Sequence, residues 1–308
     1  MPAGPRTSVA GPSATSPGRR PYDADVASGD RGGAAPAEDV LVRELSTPVA
    51  ADGAGADGGA PGPVHSLVHV PRDAAAGRVR APLVVCCHGL GESGLRVAGI
   101  AQRLAAAGAV AVVPSFRGGG APTAGPTTGM SVLTEIADLE AVLDAAEAWP
   151  FVDAGRTALF GRSQGGLVAA LTASRRPTRV GALVLWYPAL RLPESMRARF
   201  GSASAVPRTF THRVEGRDMT LGSRYAIDAW SLDVDAVLAR LRIPVLLVHG
   251  ERDADVPISV SEDAARLLPD ARLVRVPGAA HGFGDERLAD AVARTESFLS
   301  WCEILEGA

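Results

Sequence analysis

From about residue 38 the chain alternates between two patterns. Short continuous apolar runs, the mark of strands buried on both faces, are followed by stretches with apolar residues every third or fourth position, the mark of helices. Val40-Leu-Val-Arg-Glu-Leu45 and Val64-His-Ser-Leu-Val-His-Val70 read as two opening strands around a Gly/Ala-rich loop at 50–62 that is expected to be mobile. Leu83–Cys87 and Ala109–Val113 are the next strands, with a helix at Val97–Ala105 between them. Ser131 is placed to cap a long helix on which Val132, Ile136, Leu139, Val142 and Leu143 share one face. Strands follow at 157–160, Gly181–Trp186, Ile243–Val248 and Arg272–Val276, and Leu288–Leu305 reads as a closing helix. The sum is an α/β chain: a mainly parallel eight-stranded sheet with helices on both faces. The segment at about 190–242 breaks the alternation after the sixth strand. It is expected to overhang the sheet edge as a cap, where such sheets bind ligands.

Composition narrows the setting. The chain has 308 residues, 46% of them hydrophobic, and a formal net charge of −3. That length suffices for one large domain, expected at 38–308. The near-neutral balance, without a long Lys/Arg block, argues against a nucleic-acid partner. No run approaches the length needed to span a bilayer, so no membrane partner is expected. Three cysteines are too few for a disulfide scaffold, and Cys86 and Cys87 sit inside a strand-like run. The first 37 residues are rich in Ala, Gly, Pro and Ser and are expected to be a disordered tail or to precede the true start. Arg19-Arg20 is not followed by the apolar run of an export signal, so a cytoplasmic location is the default. Nothing in the residues specifies an oligomeric state.

Gly161-Arg-Ser-Gln-Gly-Gly166 carries the chemistry. A Gly-x-Ser-x-Gly sequence between a strand and a helix forms a turn so sharp that bulky residues at 161 and 165 would collide with their neighbours. It holds the Ser163 oxygen out at the sheet edge. A serine hydroxyl needs a base to take its proton, and the base needs a carboxylate to orient it. His281, on the loop after the last strand, is the expected base. Glu251, Asp253 and Asp255 follow the preceding strand; Asp253, after the turn at Gly250, is the expected acid and Asp255 the runner-up. Two backbone amides are needed to hold an oxyanion. Gln164 would supply one and Leu90, in His88-Gly-Leu-Gly-Glu-Ser93, the other. His88 reads as a structural loop histidine. No His/Cys/Asp cluster has metal-ligand spacing, so neither metal nor cofactor is expected.

With these residues in place, the chain resembles the α/β-hydrolase superfamily from about 40 to 304. The resemblance rests on His88-Gly-Leu-Gly, Gly161-x-Ser-x-Gly-Gly166, Gly250-x-x-Asp-x-x-Val-Pro257 and His281-Gly-Phe283. More narrowly it is similar to bacterial cinnamoyl (feruloyl) esterases. Phe116-Arg-Gly-Gly-Gly120, Met130–Ile136 and Met219-Thr-Leu-Gly-Ser-Arg-Tyr225 carry that similarity. It implies the α/β-hydrolase fold, no cofactor and a small-molecule ester substrate, hydroxycinnamoyl or another small acyl ester. It also implies that Tyr225 contacts the phenolic end of a substrate; packing within the cap is the other reading of that residue. Arg162 departs from the family, which has histidine there, and reads either as a salt-bridged structural residue or as a bias toward acidic substrates. The leading expectation is a serine esterase. Its rivals are a peptidase of the prolyl-oligopeptidase type, whose propeller and amine-gripping acids are not evident, and a binding protein without turnover.

Overall fold

The apolar runs become strands and the periodic stretches become helices. A computed structural model describes residues 39–49, 62–119, 125–214 and 216–306. The tail expected at 1–37, and all but the last residue of the loop expected at 50–62, lie outside the described residues. The strands are β1 Val40–Thr47, β2 Val64–Pro71, β3 Ala81–Cys87, β4 Val110–Ser115, β5 Val152–Arg162, β6 Val180–Trp186, β7 Thr209–Val214, β8 Arg217–Gly222, β9 Val245–Gly250 and β10 Ala271–Val276. The helices are α1 Arg72–Ala75, α2 Ala98–Ala106, α3 Val132–Glu147, α4 Gln164–Arg175, α5 Leu192–Phe200, α6 Ser223–Trp230, α7 Val234–Leu238, α8 Ser259–Leu267 and α9 Asp285–Trp301.

Eight strands form one sheet in the order β1-β2-β4-β3-β5-β6-β9-β10. β2 is antiparallel to both its neighbours, and every pairing from β4 to β10 is parallel. Parallel strands joined by helical crossovers need cover on both faces, and β3 shows it. Leu83, Val85 and Cys87 enter the core that takes in α3 and α4, while Val84 and Cys86 enter the opposite core with α2 and α9. Both cysteines are free and buried.

Ser131 caps α3 in a capping box. Its Oγ accepts the Thr134 amide at 3.3 Å, and Thr134 Oγ1 accepts the Ser131 amide at 2.9 Å. The segment between β6 and β9 folds as α5, the β7–β8 hairpin, α6 and α7. It is tied to the body next to α3: Ser131 Oγ donates to Asp228 at 2.5 Å and Thr127 Oγ1 donates to the Thr220 carbonyl at 2.6 Å.

Within the cap, α6 ends at Trp230 and Asp233 caps α7 by accepting the Ala236 amide at 3.0 Å. The closing helix stops at Trp301 instead of Leu305. Glu303 turns left-handed at φ 61°, and the Ile304 amide bonds back to the Leu299 carbonyl at 2.9 Å. Ile304 and Leu305 are apolar because they are buried, not because they are helical.

Candidate active site

Ser163 sits between the end of β5 and the start of α4, at φ 51° and ψ −123°. Few non-glycine residues hold such a backbone, and its neighbours enforce it. The Ser163 amide donates to the Trp186 carbonyl at 3.0 Å, and the Ser163 carbonyl accepts the amides of Gly166 and Ala189 at 3.0 and 2.9 Å. The flanking glycines are required by contact. A Cβ on Gly161 would lie 2.3 Å from the Gly165 carbonyl oxygen, and one on Gly165 would lie 2.3 Å from that of His88.

Loops after β9 and β10 bring the other expected residues to Ser163. His281 Nε2 is 3.1 Å from Ser163 Oγ, and His281 Nδ1 is 2.7 Å from Asp253 Oδ2. The other oxygen of Asp253 accepts the amides of Asp255 and Val256 at 3.0 and 2.8 Å. Burial alone would raise the Asp253 carboxyl. Hydrogen bonds from His249, His281 and the Val256 amide outweigh that and hold it well below the usual carboxylate range. Asp255 and Glu251, the alternative acids, are exposed. A carboxylate kept ionised on Nδ1 fixes the His281 tautomer that leaves Nε2 free to accept a proton from Ser163.

His249 was not singled out in the sequence. It is fully buried, its Nε2 donates to the Val256 carbonyl at 2.8 Å and lies 3.3 Å from Asp253, and its Nδ1 bonds Ser261 Oγ at 2.7 Å. Its place directly before Gly250, ahead of the acid, is the signal that could have marked it. His88 is structural, as its loop suggested. Its Nε2 accepts the Phe116 amide at 3.0 Å, which leaves Nδ1 to donate to the Gly89 carbonyl at 2.8 Å. Burial lowers its pKa to about 4, so it stays neutral.

Leu90 and Gln164, the expected oxyanion residues, both line a cavity of about 320 Å³ together with Ser163 and His281. Gly89 passes so close to the elbow that a Cβ on it would lie 3.3 Å from Ser163 Cβ. The Gln164 side chain is fixed from both ends. Its Oε1 accepts the Tyr225 hydroxyl at 2.6 Å, and its Nε2 donates to Glu135 Oε2 at 2.8 Å. Tyr225 therefore reaches the cavity wall from α6, but its hydroxyl is turned to Gln164. Glu135 is a buried acid that the sequence reading passed over, and burial lifts its pKa to about 8. Its signal is a carboxylate on the apolar side of α3, beside Ile136 and Leu139.

The cap supplies the rest of the wall, including Arg191, Leu192, His212, Arg213 and Val214, and the loop after β9 adds Asp255. Among the described residues no group of three or more His, Cys, Asp or Glu side chains is placed to hold a metal, and no helix is long and apolar enough to cross a membrane.

A strained serine at a strand–helix turn, hydrogen-bonded through histidine to a buried aspartate at the carboxyl edge of this sheet, is the site of a hydrolase-type protein. The family model for serine aminopeptidase S33 matches residues 79–226, and the one for TAP-like protein matches 229–301. The solved structure of Est1E from Butyrivibrio proteoclasticus with ferulic acid bound is 23% identical, covering 77% of this chain and 95% of its own, at a TM-score of 0.69. A Paleococcus ferrophilus monoacylglycerol lipase is 20% identical, covering 77% and 99%, at 0.61. A putative hydrolase from Agrobacterium vitis is 20% identical, covering 87% and 99%, at 0.62. The chain has the α/β-hydrolase fold.

Proposed function

We propose that this protein hydrolyses carboxylic esters of small acyl groups through an acyl-enzyme at Ser163. The observation that carries the reading is the unbroken Ser163–His281–Asp253 chain at 3.1 and 2.7 Å, opening into the cavity beside Leu90 and Gln164. Ser163 Oγ attacks the ester carbonyl while His281 Nε2 takes its proton and Asp253 stabilises the resulting imidazolium. The carbonyl oxygen becomes an oxyanion facing the backbone amides of Leu90 and Gln164. His281 returns the proton to the departing alcohol oxygen, and a water molecule then repeats the sequence to release the acid and free Ser163. Likeness in fold to Est1E bound to ferulic acid and to a monoacylglycerol lipase supports ester substrates, with hydroxycinnamoyl esters among the candidates.

The test is turnover of p-nitrophenyl butyrate and of methyl ferulate by wild type and by Ser163→Ala. Activity on either ester that disappears in the folded variant is the expected result. A second reading is an aminopeptidase, favoured by the description of the family model over 79–226 and by Asp255 on the cavity wall, which could meet a free amino terminus. Arg191 and Arg213 line the same cavity and oppose a cationic substrate. Faster cleavage of alanine p-nitroanilide than of p-nitrophenyl butyrate would establish the peptidase reading instead.

A further inference from the structure

Arg162 sits inside the elbow and departs from the family pattern, yet its side chain does not line the cavity with Ser163. It runs under the site. Its Nη1 lies 3.1 Å from Glu92 Oε1, and the two side chains are only 5% and 6% exposed. The other oxygen of Glu92 accepts the Gly89 amide at 2.7 Å, and the Glu92 amide closes the same turn onto the Gly89 carbonyl at 3.3 Å. These bonds bracket Leu90, so they set where its amide points. On its other side the Arg162 guanidinium lies 5.4 Å from the centre of the Tyr187 ring. Tyr187 holds φ 35° just after β6, and its ring meets the His281 ring edge-on at 4.6 Å.

We infer that Arg162 and Glu92 form a buried clamp that sets the oxyanion loop, and through Tyr187 the His281 ring, against Ser163. One guanidinium thereby joins the three segments that carry nucleophile, oxyanion donor and base. Arg162 is a positioning residue that never meets substrate. The inference rests on Ser163 being the nucleophile. A buried ion pair gives little net stability over apolar residues of the same size, because desolvating two charges offsets their attraction. Its use here is geometric. An arginine offers several donors in a fixed plane and can hold a carboxylate while stacking on an aromatic ring. Glu92 has a further partner in Arg96 at 3.4 Å, but Arg96 is half exposed and reaches neither the elbow nor Tyr187.

The experiment compares wild type, Arg162→Met, Arg162→Lys and Glu92→Gln, each at a temperature where its melting curve shows it fully folded. kcat and KM are measured on p-nitrophenyl butyrate, and amide exchange by mass spectrometry on peptides covering His88–Glu92. Losing a whole oxyanion donor costs about 10²–10³ in kcat, so a misaimed one is expected to cost roughly 10- to 100-fold. Arg162→Met should show that fall with KM within about twofold, Arg162→Lys should recover part of it, and exchange at 88–92 should quicken while β5 stays protected. Glu92→Gln keeps an acceptor for Gly89 but loses the charge pair, and should fall roughly 5- to 10-fold; it decides the matter if Arg162→Met does not fold. Unchanged kcat and unchanged exchange in folded variants overturn the clamp. So does a defect confined to KM, which would put Arg162 against the substrate. A wild type that turns over no ester would sink the nucleophile reading instead, and the exchange comparison would still judge the clamp.

Discussion

Removing one oxygen from Tyr225 separates its two roles. In Tyr225→Phe the ring stays and the hydroxyl goes, together with its 2.6 Å bond to Gln164. Both residues are buried, at 1% and 2% exposure, so Gln164 Oε1 loses that donor with little access to water. Stranding a buried acceptor costs about 1–3 kcal/mol. At about 2–4 °C per kcal/mol for a domain of this size, Tm should fall by roughly 2–12 °C. The freed Gln164 side chain also loosens the first residue of α4, whose amide is the proposed oxyanion donor. kcat should therefore drop about threefold to tenfold, for aliphatic and aromatic esters alike, with little change in KM. Calorimetry and steady-state kinetics on p-nitrophenyl butyrate and methyl ferulate read both effects. An unchanged Tm with KM raised only for methyl ferulate would refute this reasoning. It would show that the hydroxyl grips the phenolic end of a substrate, the role that resemblance to feruloyl esterases implies.

Three further predictions follow from the same geometry. Asp253→Asn should lower kcat about 10³–10⁴-fold by stabilising the wrong His281 tautomer, while Asp255→Asn should change it by only a few fold; steady-state kinetics with the order reversed would assign the acid to Asp255. Glu135 titrates near 8 when buried against an ordinary value of 4.5, so between those pH values the folded protein keeps a proton that the unfolded chain has lost. Stability contributed by the neutral form is thus lost as pH rises through that window, and Glu135→Gln should gain on wild type by on the order of a few kcal/mol from pH 5 to pH 8.5. Urea unfolding at both pH values tests this, and a pH-independent difference contradicts it. Gly165→Ala drives a methyl to within 2.3 Å of the His88 carbonyl oxygen, so it should cost about 4 kcal/mol or more in denaturant unfolding, and a variant of wild-type stability would mean that the elbow is looser than it stands.

What could be read from the sequence depended on whether a feature is local. The strands β3, β4, β6 and β9 were legible because each carries a continuous apolar run, and the elbow because Gly-x-Ser-x-Gly is compact in the chain, although Gly165 answers to the distant His88 carbonyl. Ser163, His281 and Asp253 could be named because the fold places each directly after a strand that the hydrophobic pattern reveals. Glu135, Glu92 and Tyr187 were not named, since each matters through a partner distant in the chain; His249 was passed over although its partners Asp253, Val256 and Ser261 are near it in sequence. Glu135 meets Gln164 across 29 positions, and Glu92 meets Arg162 across the sheet edge. α5 and α8 were missed for the opposite reason. α5 has little apolar periodicity, with Leu192, Pro193 and Met196 alone buried, and α8 buries only Val260, Ser261 and Ala264. The overrun of the last helix shows that apolar spacing reports burial first and helix second.

The central claim is that Ser163 is a nucleophile activated by His281. Its most direct test is intact-protein mass spectrometry after treatment with a fluorophosphonate, followed by peptide mapping. One phosphonyl group should be found on Ser163 in wild type, far more slowly in His281→Ala, and not at all in Ser163→Ala. A folded wild type that gains no such mass, or that carries it on another residue, would contradict the account.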